Sequence, residues 1–334
     1  MKLYILMLEG EVTSLPLFYM KQKIRSENMK VGAIDIGTNS MRLLICDYID
    51  DKIENRVKFV NTTRIGKGVD KNGYISEEAI NRNIMALKEF YNICKENNCE
   101  KIYAIGTSAL RDSKNKDKFI ELAKKESKID IEIITGEEES NLGFKGVLEG
   151  INSEDDILVL DIGGGSTEFI IGNIDGIKFS KSENVGALRM TEKFLTKDPI
   201  CENEFDNMSL FIEKEISNTL DYVKNKGIRK IVGIGGTITS LSAMNQELEV
   251  YSMEKIHNSS ISKCEIKKIL QNLKKLTLSD KKELKGLQAK RADIITAGVK
   301  ILDIIIENLE IENIMVSEYD NLEGLICQKL KKMS

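Results

Sequence analysis

The segment that most constrains the fold is residues 157–172, with the sequence ILVLDIGGGSTEFIIG. Two short apolar runs on either side of three glycines and two hydroxyl residues are typical of two strands joined by a tight turn. Glycines let the N–H groups of such a turn approach a ligand, and successive N–H groups form a concave site for phosphate. Asp161, at the end of the first strand, is suited to hold Mg²⁺ through oxygen. The segment therefore predicts a phosphate-binding hairpin with a metal-binding carboxylate, and a hairpin without a ligand is the alternative.

The same arrangement recurs twice along the chain. Residues 31–48 contain an apolar strand with Asp35, a polar turn, and a second strand with Arg42, which either contacts phosphate bidentately or lies exposed on the strand. Residues 230–237 form a strand and a glycine turn that leads into a helix, and helix N-termini bind anions. No stretch matches the dinucleotide fingerprint or the G-x-x-x-x-G-K-S/T loop. The three candidate phosphate-binding turns are Gly37, Thr38, Asn39 and Ser40; Gly163, Gly164, Gly165, Ser166 and Thr167; and Gly235, Gly236 and Thr237.

Composition argues against several classes of function. The net charge of −4 provides no global attraction for nucleic acid. The single histidine, His257, argues against imidazole metal clusters and a Ser-His-Asp triad. The six cysteines are scattered without a C-x-x-C pair, which favours reduced thiols in the cytoplasm. The apolar run at residues 3–8 is too short for a membrane span and does not have the layout of a secretory signal, so we expect no membrane association.

Length and pattern predict the domain organisation. The chain of 334 residues and the alternation of predicted strands and helices favour an α/β protein with two domains. We place the first domain at residues 29–150 and the second at residues 151–320, with a helix at about residues 321–334 that packs back on the first domain. Residues 1–28 form an N-terminal extension, which is either a mis-assigned start upstream of Met29 or an accessory segment.

Three consecutive glutamates, Glu137, Glu138 and Glu139, follow a predicted strand at the start of a helix. The helix dipole favours acidic residues in a first turn, and this explanation is preferred for Glu137 and Glu138. A carboxylate that faces a bound phosphate could instead orient and deprotonate an attacking water. Spacing alone does not choose which of the three would do so.

Seven motifs together carry a resemblance to a known family. In chain order they are DIGTNSMRLLI, GTSALRD, ITGEEES, DIGGGSTEF, VGALRMTEKF, GIGGT and KRADIITAGVKIL. They resemble the exopolyphosphatase and guanosine pentaphosphate phosphatase family, within the superfamily of actin, sugar kinases and heat-shock chaperones. The resemblance implies two ribonuclease-H-like, actin-like domains with mixed five-stranded sheets that flank a central cleft. It also implies Mg²⁺-dependent release of terminal phosphate from inorganic polyphosphate, or conversion of pppGpp to ppGpp.

The resemblance assigns roles to individual residues. Glu139 matches the catalytic glutamate of the family, and Arg42 matches an arginine that contacts phosphate. Arg111 and Arg291 lie in matched motifs and are weaker candidates for substrate contact. The carboxylates expected at the metal and phosphate site are Asp161, Glu168 and Asp35.

The chain departs from the family pattern near its C-terminal end. Relatives often carry Gly-Leu-Arg-Glu-Gly where this chain has Asp-Asn-Leu-Glu-Gly at residues 320–324, and the missing arginine weakens the expectation of long-chain substrate handling.

The alternatives to a hydrolase are a catalytically weak sensor that binds ppGpp or polyphosphate, and an ATP-dependent kinase of the same superfamily. The expected partners are inorganic polyphosphate or guanosine penta- and tetraphosphate and a second copy in a homodimer, with neither nucleic acid nor membrane.

Overall fold

The structure is a computed structural model that describes residues 29–151 and 153–331, so the predicted extension at residues 1–28 lies outside the described residues. The first half of the described chain contains β1 (Met29–Ile36), β2 (Met41–Ile49), β3 (Lys52–Asn61), α1 (Val69–Asn72), α2 (Glu77–Glu96), β4 (Lys101–Gly106), α3 (Ser108–Asp112), α4 (Lys116–Ser127), β5 (Glu132–Ile133) and α5 (Gly136–Gly150).

The second half repeats the strand pattern with more helices. It contains β6 (Ile157–Ile162), β7 (Thr167–Asn173), β8 (Gly176–Glu183), α6 (Ala187–Phe194), α7 (Glu202–Asn225), β9 (Ile231–Ile234), α8 (Gly235–Asn245), α9 (Met253–Ile256), β10 (Ser260–Ser262), α10 (Lys263–Lys275), α11 (Leu278–Lys282), a 3₁₀ turn (Ala289–Arg291), α12 (Ile295–Asn308), β11 (Asn313–Val316) and α13 (Asn321–Leu330).

The two sheets share one topology. The first has the order β3-β2-β1-β4-β5, in which β1 pairs antiparallel with β2 and parallel with β4. The second has the order β10-β11-β9-β6-β7-β8, in which β6 likewise pairs antiparallel with β7 and parallel with β9. Both sheets are therefore mixed, and the α/β prediction is confirmed.

The second sheet has six strands where five were predicted. The additional strand is β10, which pairs antiparallel with β11 at the edge of the sheet. Its three residues immediately precede helix α10 and are too few to produce a recognisable alternation of apolar and polar side chains. The expected five-stranded arrangement is otherwise present.

The last helix packs on the first sheet. Leu322, Leu325 and Ile326 of α13 are buried in one hydrophobic cluster with Val31 and Leu44 of β1 and β2. The chain thus returns from the second sheet to the first, although the predicted domain boundaries at residues 150 and 320 stay predictions. Within the described part of the chain, no helix combines the length and apolar character needed to cross a membrane.

Helices α5 and α13 approach each other so closely that glycine is required at both. A Cβ atom at Gly324 would lie 1.9 Å from the carbonyl oxygen of Leu142, and one at Gly146 would lie 1.9 Å from the carbonyl oxygen of Asp320. Both obstacles are backbone atoms, which cannot rotate away. These two glycines therefore set the distance between the helices.

We predict that Gly324→Ala lowers the free energy of unfolding by about 1–3 kcal/mol, because the methyl group forces the helices apart. In an open helix the same change would stabilise the protein. Denaturant unfolding measures the effect, with Ser217→Ala on the exposed face of α7 as a control for added helix propensity. A Gly324→Ala protein as stable as this control would contradict the close packing.

Candidate active site

Two turns with the same backbone geometry face each other between the sheets. In each, the first residue donates its N–H to the carbonyl of the fourth: Gly37 to Ser40 at 3.1 Å, and Gly163 to Ser166 at 3.0 Å. Within the described residues, the N–H groups of the two central positions of each turn donate no hydrogen bond. These free donors are what an anion-binding turn requires.

The turns pack against each other as closely as glycine allows. A Cβ atom at Gly165 would lie 2.7 Å from the hydroxyl oxygens of Thr38 and Ser108, and one at Gly164 would lie 3.1 Å from the Cβ of Asn39. The glycines predicted from the sequence to admit a ligand therefore also allow the two halves of the molecule to meet. A larger side chain at residue 165 would separate the turns.

The three predicted phosphate-binding turns line a single cleft of about 610 Å³. The predicted site residues at its wall are Asp35, Gly37, Thr38, Asn39, Ser40, Arg42, Glu139, Asp161, Gly163, Gly164, Gly165, Ser166, Gly235, Gly236, Thr237 and Arg291. Three predicted site residues, Arg111, Thr167 and Glu168, do not line it. Thr167 is fully buried and donates its hydroxyl to the carbonyl of Val185 at 2.5 Å, which is a structural contact.

The structure separates the three glutamates that spacing could not. Glu138 completes a capping box with Thr135 at the start of α5, and Glu137 is exposed. Glu139 is 7% exposed and lines the cleft. Of the three, Glu139 alone is placed to act on a ligand bound between the turns.

The surroundings of Glu139 favour its protonated form. Burial, followed by the neighbouring carboxylates of Glu168 and Asp35, raises the pKa of Glu139 well above its ordinary value. Arg111 opposes this shift, since its Nη1 lies 3.2 Å from Oε2 of Glu139. Arg111 thus contacts the glutamate and the carbonyl of Ile134, and holds the carboxyl group in place from behind the cleft.

The other buried carboxylates have different partners. Asp35 pairs with Arg42 across adjacent strands, and its second oxygen is buried without a hydrogen bond. Glu168 accepts a hydrogen bond of 2.8 Å from Ser182. Asp161 has no side-chain hydrogen bond or ion pair among the described residues, and burial together with Glu168 raises its pKa to about 8.

Asp161 is the carboxylate that best fits a cation. No three acidic, histidine or cysteine side chains in residues 29–151 and 153–331 are arranged to hold a metal ion by themselves. Mg²⁺ usually takes one or two protein carboxylates and completes its shell with water and substrate phosphate. An unpaired, buried carboxylate at the wall of a cleft lined by anion-binding turns meets that requirement, whereas Asp35 is paired with Arg42 and Glu168 does not line the cleft.

Among the cations of the cleft, Arg291 resembles Asp161 in having no oppositely charged partner in the described part of the chain. Arg42 is paired with Asp35 and with Asp320, whereas Arg291 has no acidic partner in the described part of the chain. Its Nη2 lies 3.4 Å from the hydroxyl of Ser40, and burial followed by repulsion from Arg42 lowers its pKa to about 10. A partly buried guanidinium without a counter-ion is suited to bind an anion.

Sequence reasoning missed several residues at the wall of the cleft. Thr107 and Ser108 follow β4, which runs parallel to β1, so their side chains reach the same edge of the sheet as the first turn. Their position at the end of a strand is the signal that could have identified them. Asn321 lines the cleft from α13, and no local sequence pattern predicts that position.

Comparison with known proteins identifies the family. The model of the Ppx/GppA phosphatase family matches residues 52–333. The chain belongs to this family. It is 38% identical over 314 residues to the bifunctional 3-dehydroquinate synthase/phosphatase of Fusobacterium nucleatum, with 90% of this chain and 46% of that protein covered. It is 31% identical to exopolyphosphatase 2 of Mycobacterium tuberculosis, with 89% and 97% covered.

Other Ppx/GppA relatives support the same placement. The chain is 29% identical to the guanosine-5'-triphosphate,3'-diphosphate pyrophosphatase of Vibrio atlanticus, with 88% of this chain and 58% of that protein covered. It thus spans only about half the length of some curated relatives. The crystal structure of an exopolyphosphatase from Cytophaga hutchinsonii matches with a TM-score of 0.84 and 31% identity, over 90% of this chain and 97% of that one. The predicted two-domain, actin-like fold is confirmed by such neighbours.

The raised pKa of Asp161 predicts how the stability of the folded protein depends on pH. In an unfolded chain an aspartate titrates near pH 4, so between about pH 4 and 8 the unfolded state loses a proton that the folded state retains. Stability of the protein in chelator should therefore fall as the pH rises from 5 to 8, and Asp161→Asn should reduce that fall by several degrees in Tm. Thermal unfolding at each pH measures it, with the exposed Asp221→Asn as the control. An equal fall in Tm in the Asp161→Asn and Asp221→Asn proteins would contradict the raised pKa of Asp161.

Proposed function

We propose that this Ppx/GppA phosphatase hydrolyses a terminal phosphoanhydride bond, releasing phosphate from inorganic polyphosphate or converting pppGpp into ppGpp. The relatives named exopolyphosphatase and guanosine-5'-triphosphate,3'-diphosphate pyrophosphatase support this reaction type. The observation that carries the proposal is the position of Glu139, a buried carboxylate in the same cleft as the two opposed anion-binding turns.

Different residues of the cleft bind the phosphate, neutralise its charge and activate the water. The free N–H groups of the turns at residues 37–40 and 163–166 hold the terminal phosphate, and Arg291 neutralises its oxygens. Glu139 orients a water in line with the bond to be broken and accepts its proton. Burial raises the pKa of Glu139 well above its ordinary value, and its ionised carboxylate is therefore a stronger base than that of an exposed glutamate. The water oxygen bonds to phosphorus as the bridging oxygen leaves with the shortened chain.

Asp161 is the residue we propose to hold Mg²⁺, with phosphate oxygens as further ligands. When bound, the ion neutralises phosphate charge, which phosphoryl transfer needs more than it needs covalent chemistry. The six free thiols are consistent with a reducing compartment, and we propose that the protein acts in the cytoplasm. A homodimer stays a prediction.

The experiment that tests the reaction compares phosphate release from tripolyphosphate, long-chain polyphosphate and pppGpp, each with Mg²⁺ and with chelator. We expect release from at least one of these substrates with Mg²⁺, and little with chelator. Binding of ppGpp without release from any of the three would favour the sensor. Formation of ADP from ATP without free phosphate, in the presence of an acceptor alcohol, would favour the kinase.

We predict that Glu139→Gln reduces kcat by about 10²-fold or more, the scale of a lost general base, with the fold intact. The neutral amide keeps the size of the side chain and can still bond to Arg111. Glu137→Gln is the matched control, since it makes the same change two residues earlier on the exposed side of the helix. Phosphate release and circular dichroism measure the two effects. Near-normal turnover by Glu139→Gln would refute its role.

A further inference from the structure

A second cavity, of about 1250 Å³, adjoins the cleft. The two share four lining residues: Arg42, Gly235, Gly236 and Arg291. A substrate whose terminal phosphate lies between the turns would therefore extend its remainder into the second cavity. What lines that cavity decides which substrates the protein holds well.

The second cavity contains cations, but most of them are already neutralised. Arg42, Arg56, Lys58 and Arg291 line it. Arg56 lies 2.9 Å from Glu323, and Lys58 lies 3.0 Å from the same carboxylate. Arg42 pairs with Asp35 and Asp320. Lys58 also lies 4.0 Å from Glu318, so three of the four cations pair with the carboxylates of Asp35, Glu318, Asp320 and Glu323. Of the four cations that line this cavity, Arg291 alone has no carboxylate partner among the described residues.

Asp320 is the carboxylate that contacts two of these cations, Arg42 and Lys58. It is 5% exposed, lines the second cavity, and its Oδ2 lies 2.6 Å from Nη1 of Arg42 and 3.5 Å from Nζ of Lys58. Its other oxygen accepts the N–H of Leu322 at 3.0 Å as the N-cap of α13. The cap fixes the carboxylate in place, so Arg42 and Lys58 face a permanent counter-ion.

A long polyphosphate chain needs a row of available cations, because it carries about one negative charge per phosphate. Past Arg291, this cavity offers cations that are paired and two carboxylates at the wall. Each further phosphate would have to displace the carboxylate of Asp320 or lie in contact with it. Two negative charges in contact repel each other. A short phosphate run, held by the turns and Arg291, avoids that conflict.

We propose that Asp320 is a fixed counter-anion that restricts the protein to short phosphate runs and disfavours long-chain polyphosphate. The proposal rests on the phosphoanhydride hydrolysis proposed above and names its substrate class. The buried carboxylate occupies the two cations that the inner phosphates of a long chain would otherwise contact. Asp320 acts through Arg42 and Lys58 and determines specificity; it takes no part in bond breaking.

The test replaces Asp320 by two neutral residues that still cap a helix, Asp320→Asn and Asp320→Ser, so that α13 retains its N-terminal hydrogen bond. KM and kcat are measured for tripolyphosphate and for long-chain polyphosphate. We expect either variant to lower KM for the long chain about fivefold or more, while KM for tripolyphosphate changes less than about twofold and kcat is little altered. Asp320→Glu, which restores the charge, should return the ratio of the two KM values towards that of the wild type.

Glu149→Gln is the control for net charge, because Glu149 pairs with Lys331 and lines neither cavity. It should leave the ratio unchanged. An unchanged ratio in both neutral Asp320 variants, or equal shifts for both substrates, would overturn the proposal and leave Asp320 a structural residue. Binding of the two polyphosphates to Glu139→Gln, with and without Asp320→Asn, separates this outcome from failure of the proposed reaction. In the Glu139→Gln protein, Asp320→Asn should still raise the affinity for long-chain polyphosphate relative to tripolyphosphate, even when no phosphate is released.

Discussion

The pairing of buried charges around the cleft determines which charged groups remain available to a ligand. Arg111 contacts Glu139, and Arg42 is shared by Asp35 and Asp320. Asp161 and Arg291 have no oppositely charged partner within the described chain, and they are suited to a cation and to an anion respectively. Buried charges are costly unless paired, so these two side chains suit a ligand that contains both a metal ion and phosphate. The turns add uncharged N–H donors that hold phosphate without adding further buried charge.

Glycine makes this arrangement sterically attainable. The turns at residues 37–40 and 163–166 meet because residues 164 and 165 carry no side chain, and α5 and α13 meet because residues 146 and 324 carry none. The first contact joins the sheets at the cleft, and the second holds α13 so that Asp320 and Asn321 face the site. Close backbone approach thus positions both the phosphate-binding groups and the residue that competes with substrate for Arg42.

The sequence was sufficient for the strand–turn–strand units, the common cleft and the α/β architecture, because these depend on local apolar runs, glycines and strand ends. Spacing could not choose among three adjacent glutamates, since the choice depends on which helix face meets the other sheet. Only the family resemblance singled out Glu139. The sequence could not foresee that Arg42 pairs with Asp320, 278 residues away. The short edge strand β10 was missed because three residues carry no periodic signal. Long-range pairing and packing, rather than local preference, account for each of these gaps.

The most direct measurement is a crystal structure of the Glu139→Gln protein with Mg²⁺ and tripolyphosphate. We expect the terminal phosphate between the two opposed turns, with Arg291 on its oxygens, Mg²⁺ on Asp161, and a water between residue 139 and the terminal phosphorus. A terminal phosphate bound outside this cleft, or a residue 139 that faces away from it, would contradict the assignment of the active site.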